Sequence, residues 1–194
     1  DPLEVVSHRV LWTIVFLFFI ILIKGKLHSI TAILKNKKSS FLLFLSGILI
    51  FINWATWIYA ISINKLVEAS FGYYIFPILS VFLGSIFLKE KLNFKKKISI
   101  LIIIISIFYM IYFLEDFPWI GLIVAFSFSF YAVIRKIVIV ETDLGLFIES
   151  LFLIPIIIII FYKLNIDNQI IFSIVNLDIA AILILAGPMT VIPL

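Results

Sequence analysis

The sequence predicts an all-α polytopic membrane protein, and three observations carry that expectation. Hydrophobic residues make up 64% of the 194 and charged residues 13%, against roughly 45–50% and about 25% in soluble domains. The apolar residues form long continuous runs, where a membrane β-barrel needs short alternating ones. Lysine and arginine gather in alternate links between those runs, the signature of spans that cross a bilayer in turn.

A spanning helix needs about 20 mostly apolar residues. Seven segments are expected: Leu3–Ile23, Phe41–Ile61, Glu68–Leu88, Ile98–Leu114, Pro118–Ile134, Leu144–Tyr162, and a last one that starts near Leu177 and runs to the end. The chain starts at Asp1 without methionine and stops at Leu194 inside an apolar run, which reads as a fragment truncated at both ends. No signal peptide is visible, since no small-residue cleavage site follows Val10–Ile23.

The links set the orientation. The first holds Lys24, Lys26, Lys35, Lys37 and Lys38; the third holds Lys89, Lys91, Lys95, Lys96 and Lys97, with Glu90; the fifth begins with Arg135 and Lys136. Together these are 12 of the 15 Lys and Arg residues. The other links carry only Lys65 and Lys163, and hold Glu115, Asp116 and Asp167. By the positive-inside rule the links 24–40, 89–97 and 135–143 are cytoplasmic. The first helix then enters from outside, and a cytoplasmic N-terminus requires an odd number of helices upstream, most simply one. The lysine clusters are too short, and too tightly tied to spans, for a nucleic-acid interface; contact with anionic lipid is compatible with them.

The third segment organises the chain. Ser70, Tyr73, Pro77, Ser80 and Gly84 recur on one side of it, around a proline at mid-depth. A polar stripe that interrupts the backbone ladder in hydrocarbon needs protein or a water-filled cavity to cover it. This helix is therefore expected to line the inside of a bundle.

Ionisable groups within spans are functional candidates by default. Glu4, His8 and Trp12 share one face of the first helix, and Arg9 lies beside them. One reading makes His8 and Arg9 substrate or proton contacts. The other pairs Arg9 with Glu4 or Glu68, or lets it snorkel to the interface as an anchor. Asn53 sits mid-span on a stripe with Trp57 and Asn64, as interhelical glue or as a substrate contact. Asn53 and Pro77 are expected near the midplane, where transporters place their sites on interrupted helices. Glu149 precedes Pro155 and reads either as a proton or cation carrier, or as an interface residue paired with Arg135 or Lys136. Ser127 and Tyr131 share a face of the fifth span. Pro118 opens that span as an N1 proline, and Gly187-Pro188 is expected to kink the last one.

Other chemistry lacks its residues. There is no cysteine, which removes disulfides and thiol catalysis. The two histidines, His8 and His28, fall on opposite sides of the expected membrane, so no two-histidine metal site forms. No phosphate-cradling loop, nucleophile elbow or paired-carboxylate motif is present.

Several blocks carry a family resemblance. EVVSHRVLW (Glu4–Trp12), NWATWIYAISINKLVEAS (Asn53–Ser70), GYYIFPILSVFLGSIFLKEKL (Gly72–Leu92), FPWIGLIVAFSFSFYAVIRK (Phe117–Lys136), GLFIES with a later proline (Gly145–Pro155) and LAGPMTVIPL (Leu185–Leu194) occur in this order. The ordered set resembles RarD-type permeases of the EamA group in the drug/metabolite transporter superfamily. One departure is Phe76, where the family commonly has an Asn just before the mid-helix proline. The resemblance implies a ten-helix bundle made of two inverted five-helix repeats. Residues 1–114 would form the first repeat without its first helix, and 117–194 a second repeat cut after the start of its third. The first and sixth segments are then pseudo-symmetric, with His8 and Arg9 near an outer gate and Glu149 near an inner one.

The expected function is transport of a small metabolite or drug-like solute by alternating access, not catalysis. The substrate contacts expected are His8, Arg9, Trp12, Asn53, Trp57, Tyr73, Tyr74 and Pro77, with Glu149 and Glu68 in gating or proton coupling. No cofactor is expected. The partners expected are the solute and the lipid bilayer of a cell membrane, bacterial and inner by resemblance, with a homodimer left open. Rival classes are a heptahelical receptor, which would want a buried lysine late in the chain, and a lipid-modifying enzyme, which would want clustered acids or histidines.

Overall fold

The computed structural model describes residues 1–89, 93–113, 117–172 and 177–192. Leu114, Glu115, Asp116, Glu90 and Lys91, and with them the expected repeat boundary between Leu114 and Phe117, lie outside them. The described chain folds as α1 (Pro2–Ile23), α2 (Leu27–Lys35), α3 (Lys37–Ser62), α4 (Leu66–Phe87), α5 (Phe94–Phe113), α6 (Trp119–Ile137), α7 (Thr142–Ile166) and α8 (Leu177–Val191). Each expected span coincides with a helix. Among the described residues five helices, α1, α3, α4, α6 and α7, are long and apolar enough to cross a membrane, and α8 is a shorter apolar helix. The fold is thus the multi-pass helical class that composition demanded.

One helix was not expected. The link 24–40 contains α2, nine residues long. Leu27, Ile30 and Leu34 put an apolar stripe on it at i, i+3 and i+7. It is far too short to span, and lysines flank it on both sides.

The helix ends follow simple rules. Asp1 caps α1, its carboxylate accepting from the Leu3 N–H at 2.7 Å, and Pro2 fills the first helical position. Gly25 has φ +66°, and the Lys26 N–H closes back on the Ile21 carbonyl at 3.1 Å. That is a left-handed C-terminal cap, which glycine adopts without strain. Asn64 and Asn168 stop α3 and α7 in the same way, with φ of 58° and 53°. The in-helix prolines do not end their helices: α4 runs through Pro77, α7 through Pro155 and α8 through Pro188.

The chain forms two compact units. The first holds residues 1–51 and 138–194, and the second 52–137. Helix α3 contributes to both. Each unit also draws on both sides of the expected repeat boundary.

In the first unit α1 packs against α7 and α8. Val6, Val10, Leu17, Ile21, Leu43 and Ile148 are completely buried there. Small residues set the close crossings, as they do wherever lipid supplies no hydrophobic drive between helices. A Cβ at Gly187 would stand 2.5 Å from the Trp12 backbone, and one at Gly47 2.9 Å from the Glu149 carbonyl.

In the second unit α4 packs against α6. A Cβ at Gly72 would lie 2.5 Å from the Gly121 carbonyl, and one at Gly121 2.6 Å from the Glu68 carbonyl. Ala69, Phe71, Ile75, Ile120, Val124 and Ala125 are buried around this crossing. Helix α5 exposes Leu101, Ile102, Ile105, Phe108, Tyr109 and Tyr112, an apolar surface suited to lipid tails.

Candidate functional site

In the first unit, the face of α1 that sequence spacing picks out meets the segment after α7. The Glu4 carboxylate accepts hydrogen bonds from the backbone N–H groups of Ile171 (2.9 and 3.0 Å) and Phe172 (2.8 Å). It therefore caps the segment that follows α7. Phe172 in turn lays its ring on His8, centroids 4.7 Å apart and tilted 32°, while Phe161 of α7 meets His8 edge-on at 5.3 Å. His8, Leu11, Trp12, Ile14, Val15, Ile154 and Phe172 line a cavity of about 350 Å³. Both His8 ring nitrogens, Trp12 Nε1 and Thr13 Oγ1 are buried without a hydrogen-bond partner. Unsatisfied polar atoms at such depth are uncommon in native folds.

Arg9 turns elsewhere. Its Nε donates to Thr190 Oγ1 at 2.8 Å, and Thr190 donates to the Ala186 carbonyl. Arg9 thus helps to dock α8 on α1 next to the Gly187 crossing.

Glu149 is completely buried on α7. Ser46 Oγ of α3 donates to its Oε1 at 2.6 Å, and Gly47 lets the two helices close at that level. The neighbouring Ser150 Oγ is buried without a partner. A carboxylate so placed can hold a proton or a counter-charge.

At the far end of α1 from Glu4, Lys24 pairs with Asp143 at 2.7 Å and Lys26 with Glu141. These two ion pairs tie the α1–α2 turn to the start of α7. The hydrogen bond to Asp143, then its charge, raises the Lys24 ammonium above its ordinary value. From the sequence both lysines read as topology markers compatible with anionic-lipid contact, and the ion pairs are not foreseen.

In the second unit Asn53 is buried, and its amide donates to the Val124 carbonyl at 3.0 Å and to Ser127 Oγ at 3.3 Å. These bonds join α3 to α6. Trp57 meets Tyr73 edge-on at 5.0 Å, and Tyr73 meets Phe128 at 6.1 Å. Phe128 also packs on Phe76 at 4.6 Å and stacks with Tyr131 at 5.9 Å. An aromatic cluster from α3, α4 and α6 results. Tyr73, Tyr74 and Pro77 lie on the exposed side of α4, away from its buried face.

Glu68 has a definite partner too. Its Oε1 accepts from the Ile120 N–H at 3.0 Å, and Lys65 lies 3.4 Å from its other oxygen. Pro118 cannot cap the α6 N-terminus with its own side chain, so a carboxylate from α4 does so, favourably placed on the helix dipole. Ser129 Oγ donates to the Phe76 carbonyl at 3.3 Å, one residue before Pro77, and ties α6 to α4 beside the proline.

Sequence spacing grouped Glu4, His8 and Trp12 correctly on one face. It missed Phe161, Phe172, Ser46 and Phe128, whose contacts join distant parts of the chain.

Comparison with known proteins adds a second line of argument. The EamA-like transporter family profile matches residues 1–112. "Protein RarD" of Salmonella typhi is 31% identical over 191 residues, which covers 98% of this chain and 65% of that protein. An uncharacterized transporter of Bacillus subtilis, YojE, is 36% identical over 158 residues, 79% of this chain and 53% of its own. "Chloramphenicol-sensitive protein RarD" of Pseudomonas aeruginosa is 26% identical over 173 residues, 87% of this chain and 58% of its own. The chain therefore spans about two thirds or less of these relatives' lengths. No solved structure matches it significantly.

Proposed function

Because the chain belongs to the EamA-like transporter family and is a RarD-type permease within it, we propose that the whole protein is a secondary transporter of a small metabolite or drug-like solute. It works by alternating access of two inverted five-helix repeats, one in 1–114 and one beginning at 117. Seven of its ten spans lie in this chain. The protein sits in the bacterial inner membrane with the links 24–40, 89–97 and 135–143 in the cytoplasm, an orientation that the lysine bias supports. Solute gradients or protons supply the energy.

The observation that supports this reading is a set of buried polar side chains inside apolar spans, with His8 and Trp12 lacking hydrogen-bond partners. A protein that merely sits in the membrane has no use for them, whereas a solute path does. On this reading His8, Trp12 and the nearby Arg9 contact solute from one side. In the second unit, Asn53, Trp57, Tyr73, Tyr74 and Pro77 are the substrate contacts of this reading. Glu149 carries a proton, and Glu68 supports gating through α6.

The test is uptake and counterflow with the full-length protein in liposomes. Chloramphenicol belongs among the first solutes, since a relative's name mentions sensitivity to it. Solute movement above empty liposomes, reduced at least about tenfold by His8→Ala or Glu149→Gln, is the expected result. Wild-type rates in both variants would end the gate assignment, and no movement of any solute in a broad screen would end the transporter reading.

A further inference from the structure

We propose that the cavity beside His8 and Trp12 binds an uncharged aromatic solute bearing an amide-like group, and that Phe172 is the internal ring this solute displaces. The proposal rests on the transporter reading and names the class of substrate for it.

The polar groups define one half of the ligand. His8 is 7% exposed, and both of its nitrogens lack partners, as does Trp12 Nε1. A neutral imidazole offers one donor and one acceptor, and an indole offers one donor. Their complement is a group that accepts and donates together, which is what a carbonyl beside an N–H provides. Left alone, these atoms carry a desolvation penalty that only a ligand or water removes.

The walls define the other half. Leu11, Ile14, Val15 and Ile154 are apolar, and among the described residues His8 is the one titratable side chain in the lining. Arg9 is outside the lining and engages Thr190. Glu4 is turned to the backbone of Ile171 and Phe172. Among the described residues the lining offers a charged ligand no ion-pair partner, which is strongly unfavourable in a low-dielectric space. A volume of about 350 Å³ suits a single-ring molecule and lies at the lower end of ligand pockets.

Phe172 shows where the ring goes. It already stacks on His8 at 4.7 Å, within the range of offset aromatic pairs. Its backbone is held by Glu4, so the ring can leave by side-chain rotation while the segment stays in place. In its present position it excludes solute from the His8 face. A solute ring that takes over the stack also reaches the unpartnered nitrogens, which phenylalanine cannot satisfy.

The experiment measures equilibrium binding to the full-length protein in lipid nanodiscs. The probes are phenylacetamide, its anionic and cationic analogues phenylacetate and phenethylammonium, and cyclohexylacetamide. Phenylacetamide is expected to bind saturably, and each charged analogue at least about tenfold more weakly. Loss of the aromatic ring in the cyclohexyl probe should weaken binding about three- to tenfold. Phe172→Ala should tighten phenylacetamide binding by about the same factor, because it removes the internal competitor. His8→Leu and Trp12→Phe should each weaken it. A gain in affinity cannot come from misfolding, so Phe172→Ala decides the matter even if His8→Leu fails to fold. Unchanged or weaker binding in Phe172→Ala overturns the proposal, as does equal binding of a charged analogue or no binding of phenylacetamide to either protein. Liposome transport is run in parallel. Transport of some other solute without phenylacetamide binding overturns this site and leaves the transporter reading standing. Binding with the Phe172→Ala gain but no transport supports the site and counts against the transporter.

Discussion

Ser46 Oγ stands 2.6 Å from Glu149 Oε1, and both residues are completely buried where α3 crosses α7. A hydroxyl that donates to a carboxylate is a charge-assisted bond when Glu149 is ionised and an ordinary one when it is protonated. Ser46→Ala removes a donor without changing shape much. The unfolding midpoint of the full-length protein should drop, by an amount equivalent to about 1–3 kcal/mol. Glu149→Gln keeps an acceptor for Ser46 and should perturb stability less than Ser46→Ala. If Glu149 carries the coupled proton, Glu149→Gln should also flatten the pH profile of transport. An unchanged profile would remove Glu149 from coupling while leaving the Ser46 bond intact.

Gly72 and Gly121 face one another so closely that a methyl group on either meets backbone at 2.5–2.6 Å. Backbone cannot rotate away as a side chain can. Gly72→Ala and Gly121→Ala should each force α4 and α6 apart and destabilise by about 1–3 kcal/mol, read as lost expression or a lower midpoint. Gly25→Ala makes a useful contrast. Nothing lies within 4 Å of its Cβ position, and only its φ of +66° is at stake, so the loss should be near 1 kcal/mol. Equal effects at all three positions would mean that the helix crossing is looser than described.

Asn53 separates packing from binding. Its amide joins α3 to α6 through Val124 and Ser127. Polar bonds between membrane helices contribute about 0.6 kcal/mol on average and up to roughly 1.7. Asn53→Leu should therefore lower stability by about that much. A role as glue predicts that Ser127→Ala gives a similar shift and that the double variant is less than additive. A role as solute contact predicts instead a raised KM in transport with little change in melting.

Features with local causes could be read from the sequence. The spans follow from apolar run length, and the Glu4, His8 and Trp12 face follows from the helical repeat. Phe172 could not be foreseen as their neighbour. It reaches α1 only because Glu4 captures its backbone N–H, and no spacing rule encodes that contact. In the sequence Glu68 reads either as a partner of Arg9 or as a gating or proton-coupling group at the start of a span. It is the cap of a helix that begins at Trp119, a debt created by Pro118 and met from another helix. Helix α2 differs again: its Leu27, Ile30 and Leu34 stripe is periodic, but nine residues are too few to span, and the lysines around it mark the segment as a link. Where a side chain's role depends on a distant partner, periodicity names the residue but not the job.

The ion pairs at the α1–α2 turn give a prediction with a definite sign in pH. Lys24 is paired with Asp143 at 2.7 Å, and its ammonium is raised above the ordinary 10.5 by the hydrogen bond to Asp143, then by the charges of Asp143 and Glu141. A lysine raised on folding stabilises fully below its ordinary value, and that contribution disappears as pH climbs through the raised one. The Lys24–Asp143 coupling should thus be constant around neutral pH and fade only in strong alkali. Lys24 is half exposed, so salt should weaken the pair as well, the screening length falling to about 3 Å at 1 M. A double-mutant cycle on Lys24→Ala and Asp143→Ala checks this, with unfolding midpoints taken at neutral and at alkaline pH. Coupling at neutral pH that vanishes in alkali is expected, and Lys24→Asp with Asp143→Lys should recover part of it. Coupling that grew with pH would mean that the lysine is not the group that holds this turn to α7.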